Sequence, residues 1–309
     1  MPVSKKIING LELLLVENDQ LAIQIVPALG GKIISVFNKK LGKEFVWTNR
    51  QLPLQANKPF DEYDPNFIGG IDELLPNDLP ENIDGIDYPD HGELWTTPLA
   101  YMLEGEQVQM SAELPLSKLF YSKKVRLDPE QPIIHLSYFL QNNSVEPRHF
   151  LWKFHAAANI KEGDQLISTA AKGQVVDPAY SRFQHTEPFS WPMLNGTDVS
   201  IIPPGEGTMD FFYLIDIGLP KMLIESADHQ TLFGYTYDAT VFPYQWYFAS
   251  YGGFLNHYTA ILEPCSAMPI SVTEAMAKNQ CSRLAPGENI MTEAQLFAGE
   301  KKQYLSYHE

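Results

Sequence analysis

Four short segments of the sequence place ionisable side chains among apolar or aromatic ones. These segments are 69–76, 90–95, 151–160 and 261–269. Burying an ionisable group costs free energy unless the group is paired, so each segment predicts either a partner or a functional role for its charged or polar residues.

Two of the segments carry groups that suit acid–base chemistry. His155 follows Phe154 on a predicted core strand, and Glu263 ends an apolar run directly before Pro264. A histidine that titrates near neutrality and a carboxylate can divide the roles of proton donor and acceptor. From the neighbouring residues alone, two other interpretations stay open: a hydrogen-bonded structural histidine, and a solvated carboxylate at the end of a strand that Pro264 terminates.

Other polar and aromatic side chains are candidates for holding a ligand. His91 lies in a glycine-containing turn, where an ordinary surface histidine is the alternative. Asp72 and Glu73 are neighbours, so on a strand they point to opposite faces and at most one of them faces a given ligand. Trp246, in an aromatic segment, could stack on the apolar face of a sugar ring, although most buried aromatic residues only fill a core.

The elements that must position these groups are short β-strands. Apolar and polar residues alternate in one run after another, and turn-forming Pro, Gly, Asn and Asp separate the runs. These runs are 21–26, 33–38, 108–114, 135–141, 231–237 and 258–262. Helical patterns are scarce, which disfavours a parallel sheet with crossover helices and predicts an all-β fold, a large antiparallel β-sandwich.

The domain organisation is predicted to be simple. Segment 52–89 is rich in Pro, Asp and Asn and interrupts the strands, which is typical of a binding loop at one end of a sandwich. The sequence shows neither a linker nor a short repeat, so we predict a single domain over residues 1–309.

Charge and composition exclude several classes of partner. The net charge is -16, which disfavours nucleic acid and anionic membrane surfaces. The five arginines are scattered, so a neutral ligand is favoured over a phosphorylated one. Without a predicted signal peptide or membrane span, and with two cysteines that suit reduced thiols, a cytoplasmic location is expected.

Several of these motifs, in this order, resemble those of the galactose mutarotase (aldose 1-epimerase) superfamily. The resemblance covers nearly the whole chain and implies the β-sandwich fold of that superfamily, its supersandwich. The matching motifs are 25–33 for its opening hairpin, His91-Gly92 for its substrate-binding histidine, His155 for its general acid, Glu263-Pro264 for its catalytic glutamate, and 284–288 for the Pro-Gly-Glu turn before its last strand.

The resemblance implies an enzyme that interconverts the anomers of a free, unphosphorylated sugar. Glu263, ionised at the start, would accept the proton of the C1 hydroxyl, while a protonated His155 would donate one to the ring oxygen. Neither a metal nor an organic cofactor is implied, and the resemblance specifies neither the sugar nor an oligomeric state. His91 would hold a ring or hydroxyl oxygen, and Asp210 matches an acidic residue that many members carry.

One departure from the superfamily concerns the substrate. Members that act on free galactose or glucose carry an Asn-Arg pair that is absent here, and Asp72, Glu73 or Lys153 could replace its contact. The alternatives are a non-catalytic carbohydrate-binding or sensing protein, and a glycoside hydrolase or lyase that uses Asp210 and Glu263. A phosphosugar epimerase is disfavoured because the chain lacks an arginine cluster.

Overall fold

The computed structural model describes residues 3–308, with side chains through residue 307. Within this range the chain is built mainly from β-strands, with three short α-helices and two 3₁₀ turns, Leu94–Thr96 and Pro178–Tyr180. The strands are β1 Val3–Ile8, β2 Leu11–Glu17, β3 Leu21–Val26, β4 Lys32–Asn38, β5 Lys43–Glu44, β6 Ile71–Leu74, β7 Glu81–Ile83, β8 Ile86–Tyr88, β9 Ala100–Glu104, β10 Gln107–Glu113, β11 Leu119–Leu127, β12 Ile133–Asn142, β13 Arg148–Phe150, β14 Lys153–Ala158, β15 Gln165–Val175, β16 Phe189–Ser190, β17 Met193–Leu194, β18 Thr197–Asp198, β19 Thr208–Glu225, β20 Thr231–Tyr237, β21 Tyr244–Tyr251, β22 Tyr258–Cys265, β23 Ser282–Leu284 and β24 Asn289–Glu300. The α-helices are α1 Tyr63–Asn66, α2 Val272–Ala277 and α3 Lys301–His308.

The strands form two runs that share one member, the longest strand β19. One run has the order β9, β10, β11, β12, β24, β20, β19, and the other has the order β1, β2, β3, β4, β6, β14, β22, β21, β19. The first part of β19 pairs with β21, and its last part pairs with β20. Strand β15 also pairs with β19, along much of the length of β19. All these pairings are antiparallel, which confirms the predicted class of fold.

The core lies between the two runs. Phe154 of β14 stacks on Tyr235 of β20 with 5.0 Å between ring centroids, and it lies 5.4 Å from the ring of Tyr138 on β12. These rings belong to opposite runs, so aromatic packing joins the two layers of the sandwich. Phe154 is fully buried, and truncating such a side chain to alanine costs about 3–5 kcal/mol.

Two local predictions need correction. Strand β22 does not end at Glu263 but continues through Pro264 to Cys265. Its ladder with β14 has no pair at Pro264, which lacks an N–H donor, and includes a pair at Cys265. Segment 52–89 is not wholly irregular, because it contains α1 and the short strands β6, β7 and β8.

Two further observations bear on the sequence predictions. Both cysteines, Cys265 and Cys281, are free thiols. Between residues 3 and 308, the helices are too short or too polar to cross a bilayer. The single domain over residues 1–309 stays a prediction.

Candidate active site

The register of three neighbouring strands assembles the acid–base candidates. Strands β14 and β22 pair Ala156 with Leu262, so the next position along places His155 directly opposite Glu263. On the other side of β22, Glu263 pairs with Trp246 of β21. Directly opposite residues of antiparallel strands share a face and have Cβ atoms about 4.5–5.5 Å apart. Residues far apart in sequence therefore form one row across the sheet.

His155 and Glu263 are in direct contact. Nε2 of His155 lies 3.4 Å from Oε1 of Glu263, and both side chains are buried. Burial raises the pKa of Glu263 to about 7, although the ammonium of Lys153 opposes this rise. Burial, together with the positive charges of Lys153, His91 and Lys32, holds the pKa of His155 well below its ordinary value. The expected resting charges are thus corrected: near neutral pH His155 is neutral, and Glu263 is partly protonated.

Tyr63 fixes the tautomer of His155. The Tyr63 hydroxyl donates to Oδ2 of Asp72 at 3.0 Å and lies 3.3 Å from Nδ1 of His155. Lys32 forms an ion pair with the same Asp72 oxygen at 2.7 Å, and this oxygen accepts the Tyr63 proton. Nδ1 of His155 then donates to the Tyr63 oxygen, which leaves the lone pair of Nε2 directed at Glu263. This assignment suits a protonated Glu263 that donates to Nε2.

Lys153 is a buried cation beside Glu263. Its Nζ lies 3.2 Å from Oε2 of Glu263, 3.2 Å from Oδ1 of Asp78 and 4.8 Å from the ring centroid of Trp246. Burial lowers the pKa of Lys153, but Asp78 and Glu263 outweigh this effect and the net pKa is raised. Positions 153 and 155 point to the same face of β14 because side chains alternate along a strand. Lys153 therefore brings a fixed positive charge to the acid–base pair.

His91 completes the charged end of the site. Its Nδ1 lies 2.9 Å from Asp90 and its Nε2 lies 3.3 Å from Asp78. Burial lowers the pKa of His91, but the two carboxylates raise it by a larger amount, so the net pKa lies above the ordinary value. The imidazole also stacks on Tyr63 with 3.9 Å between centroids and 7° between planes. His91 is thus held between two carboxylates and a ring, and the two carboxylates favour its protonated form.

The backbone of the His91-Gly92 turn sets this position. His91 has a φ of 57°, in the left-handed region that non-glycine residues rarely adopt. Gly92 follows with a φ of 73°, and a Cβ there would lie 2.3 Å from the carbonyl oxygen of Leu75. Only glycine fits at this close approach.

These groups line one end of a cleft of about 340 Å³. Aromatic side chains form much of the remaining wall, namely Phe67, Tyr180, Phe211, Phe248 and Phe254. A site with apolar walls and a few convergent polar groups is typical of small-molecule binding, and aromatic faces suit the apolar faces of a sugar ring.

The structure brings four of the predicted residues into this cleft: His91, Lys153, His155 and Glu263. Asp72 lies behind it, because its partners are Lys32 and Tyr63 and its side chain is buried. The prediction that Asp72 contacts a ligand is therefore corrected to a contact through Tyr63.

Glu73 and Asp210 lie outside the cleft. Glu73 points to the opposite face of β6 from Asp72, as their adjacency predicts, and its buried carboxylate lies 2.8 Å from Nζ of Lys123. Asp210 is buried and accepts from Nε and Nη2 of Arg182 at 2.9 and 2.6 Å. Both carboxylates are engaged within the protein, which corrects their predicted roles in ligand binding. A two-carboxylate site of Asp210 and Glu263 also loses its support.

Trp246 lies beneath the site instead of in its wall. It shares the face of Glu263, but its ring is fully buried, and its Nε1 donates to the carbonyl of Ala267 at 3.1 Å. Val272 of α2 packs in the same apolar cluster, and Lys153 lies over the ring. These neighbours keep the indole from a ligand.

Sequence reasoning missed several residues that line the cleft, four of which are Tyr63, Asp64, Asp78 and His257. Tyr63, Asp64 and Asp78 belong to segment 52–89, which was predicted to be a binding loop, but no periodicity distinguishes them within it. His257 precedes β22 without a motif around it.

One group in the cleft has donor atoms for a cation. Asp64, Asp90 and His91 each offer one ligand atom, and these atoms lie within 4.8 Å of one another. Both nitrogens of His91 already face carboxylates, so a metal would require His91 to lose a proton and exchange a partner. That the protein needs no metal stays a prediction.

The chain was compared with known families and structures. Residues 3–74 match a family described as a domain of unknown function (DUF5107). A galactose mutarotase-like protein from Clostridium acetobutylicum superposes with a TM-score of 0.73 at 14% identity, over 97% of this chain and 99% of that chain. A provisionally named aldose 1-epimerase from Klebsiella pneumoniae has a TM-score of 0.74 at 13% identity, over 98% of this chain and 85% of that chain.

A third structure is a TPR-domain containing protein from Parabacteroides distasonis. Its TM-score is 0.69 at 13% identity, and the match covers 94% of this chain and 47% of that chain, so this chain spans about half of that protein. The comparisons together show that the chain has the galactose mutarotase-like fold, as the sequence motifs predicted.

Proposed function

We propose that the protein interconverts the anomers of a free, unphosphorylated sugar, as an aldose 1-epimerase does, and takes part in carbohydrate metabolism. The observation that carries this proposal is the contact of 3.4 Å between Nε2 of His155 and Oε1 of Glu263 in a cleft with aromatic walls. A single sugar ring can meet a proton donor and a proton acceptor only if both lie within hydrogen-bond reach.

The chemistry needs one exchangeable proton, which the pair holds. When the proton of Glu263 moves to Nε2 of His155, the pair becomes an ionised base and a protonated acid. Glu263 then accepts the proton of the C1 hydroxyl, the bond between C1 and the ring oxygen breaks, and His155 supplies the proton to that oxygen. The sugar becomes an open aldehyde, and reclosure on the other face gives the other anomer.

A second candidate is a carbohydrate-binding or sensing protein without catalysis. Lys153 favours it, because its ammonium occupies Oε2 of Glu263 at 3.2 Å and could hold the carboxylate in a purely structural role. In that case sugars bind in the same cleft but their anomers do not exchange faster than in buffer.

The deciding experiment is anomer exchange, measured by NMR on a panel of free monosaccharides, together with calorimetric affinities. Glu263→Gln keeps the shape and hydrogen-bonding capacity of the side chain but cannot accept a proton. We expect exchange to fall by about 10²–10⁴ while sugar affinity changes far less.

The matched control is Glu187→Gln, which alters an exposed carboxylate outside the cleft and is expected to leave both measurements unchanged. Unchanged exchange in Glu263→Gln would remove Glu263 as the base, and wild-type binding without exchange would favour the second candidate. The cytoplasmic location stays a prediction.

A further inference from the structure

One polar side chain lies among the aromatic rings of the cleft. His257, directly before β22, lines the cleft, and its side chain is buried. Its ring centroid lies 4.8 Å from that of Trp47, 6.3 Å from that of Phe67 and 6.2 Å from that of Phe254. Burial lowers the pKa of His257, so the imidazole is neutral near pH 7. A polar group in such apolar surroundings costs free energy unless its hydrogen bonds are made.

Asn49 determines which nitrogen of His257 carries the proton. Oδ1 of Asn49 accepts from the backbone N–H of Gln51 at 3.0 Å, which directs Nδ2 of Asn49 to Nε2 of His257 at 3.4 Å. An amide nitrogen only donates, so Nε2 accepts and the single proton of the neutral ring lies on Nδ1. Within the side chains and backbone described for residues 3–307, nothing accepts a hydrogen bond from this Nδ1–H. The donor is therefore free for a bound molecule.

The cleft connects His257 with the acid–base pair. The centroid of the Phe67 ring lies 5.3 Å from that of His155 and 6.3 Å from that of His257, and all three rings line the cleft. Ile261, which also lines the cleft, continues the face of Glu263 along β22 towards His257, because alternate residues of a strand share a face. A sugar ring held at the pair thus has the free donor of His257 beyond it, past Phe67.

Resting on the proposed function, we propose that the sugar is an aldohexose and that His257 donates a hydrogen bond to its 6-hydroxyl. In that function His155 supplies a proton to the ring oxygen. Carbon 5 of a pyranose is bonded to the ring oxygen, so carbon 5 lies beside His155. Carbon 6 projects from carbon 5 outside the ring, and its hydroxyl reaches past Phe67 to His257.

This contact makes His257 a specificity-determining residue. A 6-deoxyhexose or a pentopyranose has no hydroxyl at this position, so its binding would leave the Nδ1–H of His257 in the cleft without an acceptor. A neutral hydrogen bond of this kind corresponds to about three- to tenfold in affinity. The site should therefore select for a hydroxymethyl group at carbon 5.

The test compares sugars that differ only in the substituent at carbon 5. D-glucose is measured against 6-deoxy-D-glucose and D-xylose, and D-galactose against 6-deoxy-D-galactose, with affinity by calorimetry and anomer exchange by NMR. We expect wild type to bind its preferred hexose about three- to tenfold more tightly than the matching 6-deoxy sugar. Equal affinities for the two, or tighter binding of xylose than of glucose, would overturn the inference.

His257→Phe is the matched variant, and the ratio of hexose affinity to 6-deoxyhexose affinity is its readout. The variant keeps an aromatic ring but has no donor, so the ratio should fall to about one. A purely structural role would weaken the binding of both sugars alike and keep the ratio. His257→Asn, whose amide can donate from a position near Nδ1, should restore part of it. His135→Phe makes the same change on β12 outside the cleft and should keep the wild-type ratio.

A second variant covers the case in which His257→Phe does not fold. His257→Gln keeps a polar group for Asn49 but lacks the donor at Nδ1, and it should lower the ratio in the same way. A wild-type ratio in this variant and in His257→Phe would overturn the role of His257.

The outcomes separate this inference from the proposed function. Anomer exchange of hexoses without a preference for the 6-hydroxyl overturns the role of His257 alone. Binding without any exchange overturns the proposed activity alone, because the ratio of affinities is measured independently of exchange.

Discussion

Replacing Lys153 with methionine tests how the site controls its base. The substitution keeps a long unbranched side chain but removes the ammonium that lies 3.2 Å from Oε2 of Glu263 and 3.2 Å from Oδ1 of Asp78. The positive charge favours ionised Glu263, so its loss raises the pKa of Glu263 above the present value of about 7. The variant should therefore keep the proton of the pair up to a higher pH.

The size of the effect follows from the contact distance. An opposite charge this close typically moves a pKa by about 1–3 units, so we take the pKa of Glu263 to rise by about 2. At pH 7 nearly all of the variant's Glu263 would then hold its proton, against about one half in wild type, so the pair keeps the proton that the reaction needs. Exchange by wild type should fall as the pH rises through about 7, and exchange by the variant should fall only as the pH approaches about 9.

The assay is the pH profile of anomer exchange, followed by NMR between pH 5 and pH 10 on whichever sugar wild type turns over. Breaking a buried ion pair from one side also costs about 3–5 kcal/mol of unfolding free energy, so thermal unfolding is recorded in parallel. If the single variant does not fold, Asp78→Asn is added to remove the second unpaired charge.

Lys172→Met is the control, because Lys172 pairs with Asp216 on the exposed surface at 2.8 Å. It should leave the pH profile unchanged and cost less than about 1 kcal/mol. A midpoint in Lys153→Met that stays in place or moves to lower pH would refute the argument that Lys153 sets the ionisation of Glu263.

Three further outcomes are expected. Asp210→Asn should raise KM more than it lowers kcat, because Arg182 loses the buried carboxylate that anchors the 177–183 loop in the cleft wall. Steady-state kinetics with a lower kcat and an unchanged KM would instead indicate only partial unfolding. Gly92→Ala should weaken sugar binding by displacing His91, because the Cβ of the new alanine would lie 2.3 Å from a backbone oxygen. An unchanged sugar affinity in calorimetry would contradict this. As the pH rises from 4.5 to about 7, the unfolding free energy of wild type should decline by about 3 kcal/mol relative to that of Glu263→Gln. The reason is that the folded chain retains the Glu263 proton, which the unfolded chain releases. Chemical denaturation that gives parallel pH profiles for the two proteins would contradict this.

The sequence predicted strands best where alternation was uninterrupted. Predicted runs 21–26 and 231–237 coincide with β3 and β20. Buried and partly exposed residues alternate along most of β3, whereas β20 is buried over most of its length. Prediction failed at Pro264, where the antiparallel register continues past a residue without an N–H. The strand propensity of proline alone could not reveal that the neighbouring residue pairs keep β22 in register despite the missing N–H of Pro264.

Site residues were predictable only where a motif marked them. His155 and Glu263 carried recognisable neighbours, and strand register then placed them opposite each other. Trp246 shares their face, yet it is covered by Lys153 and by the packing around α2. A local sequence pattern does not show which of several side chains on one face covers the others. Tyr63 reaches the site from the first residue of α1, a helix of one turn in which no period indicates which side chain points inward.

Under the proposed function, the raised pKa of Glu263 and the lowered pKa of His155 both favour proton transfer to and from the sugar. Raising the pKa of Glu263 to about 7 makes its carboxylate a stronger base than an ordinary glutamate near neutral pH. Lowering the pKa of His155 makes its protonated form a stronger acid, so an imidazolium formed during the reaction donates readily to the ring oxygen. Lys153 acts on both groups, because its charge lowers the pKa of His155 and limits the rise in the pKa of Glu263. A neutral His155 at rest is therefore compatible with its role as the acid, since the proton it donates arrives from Glu263 across a contact of 3.4 Å.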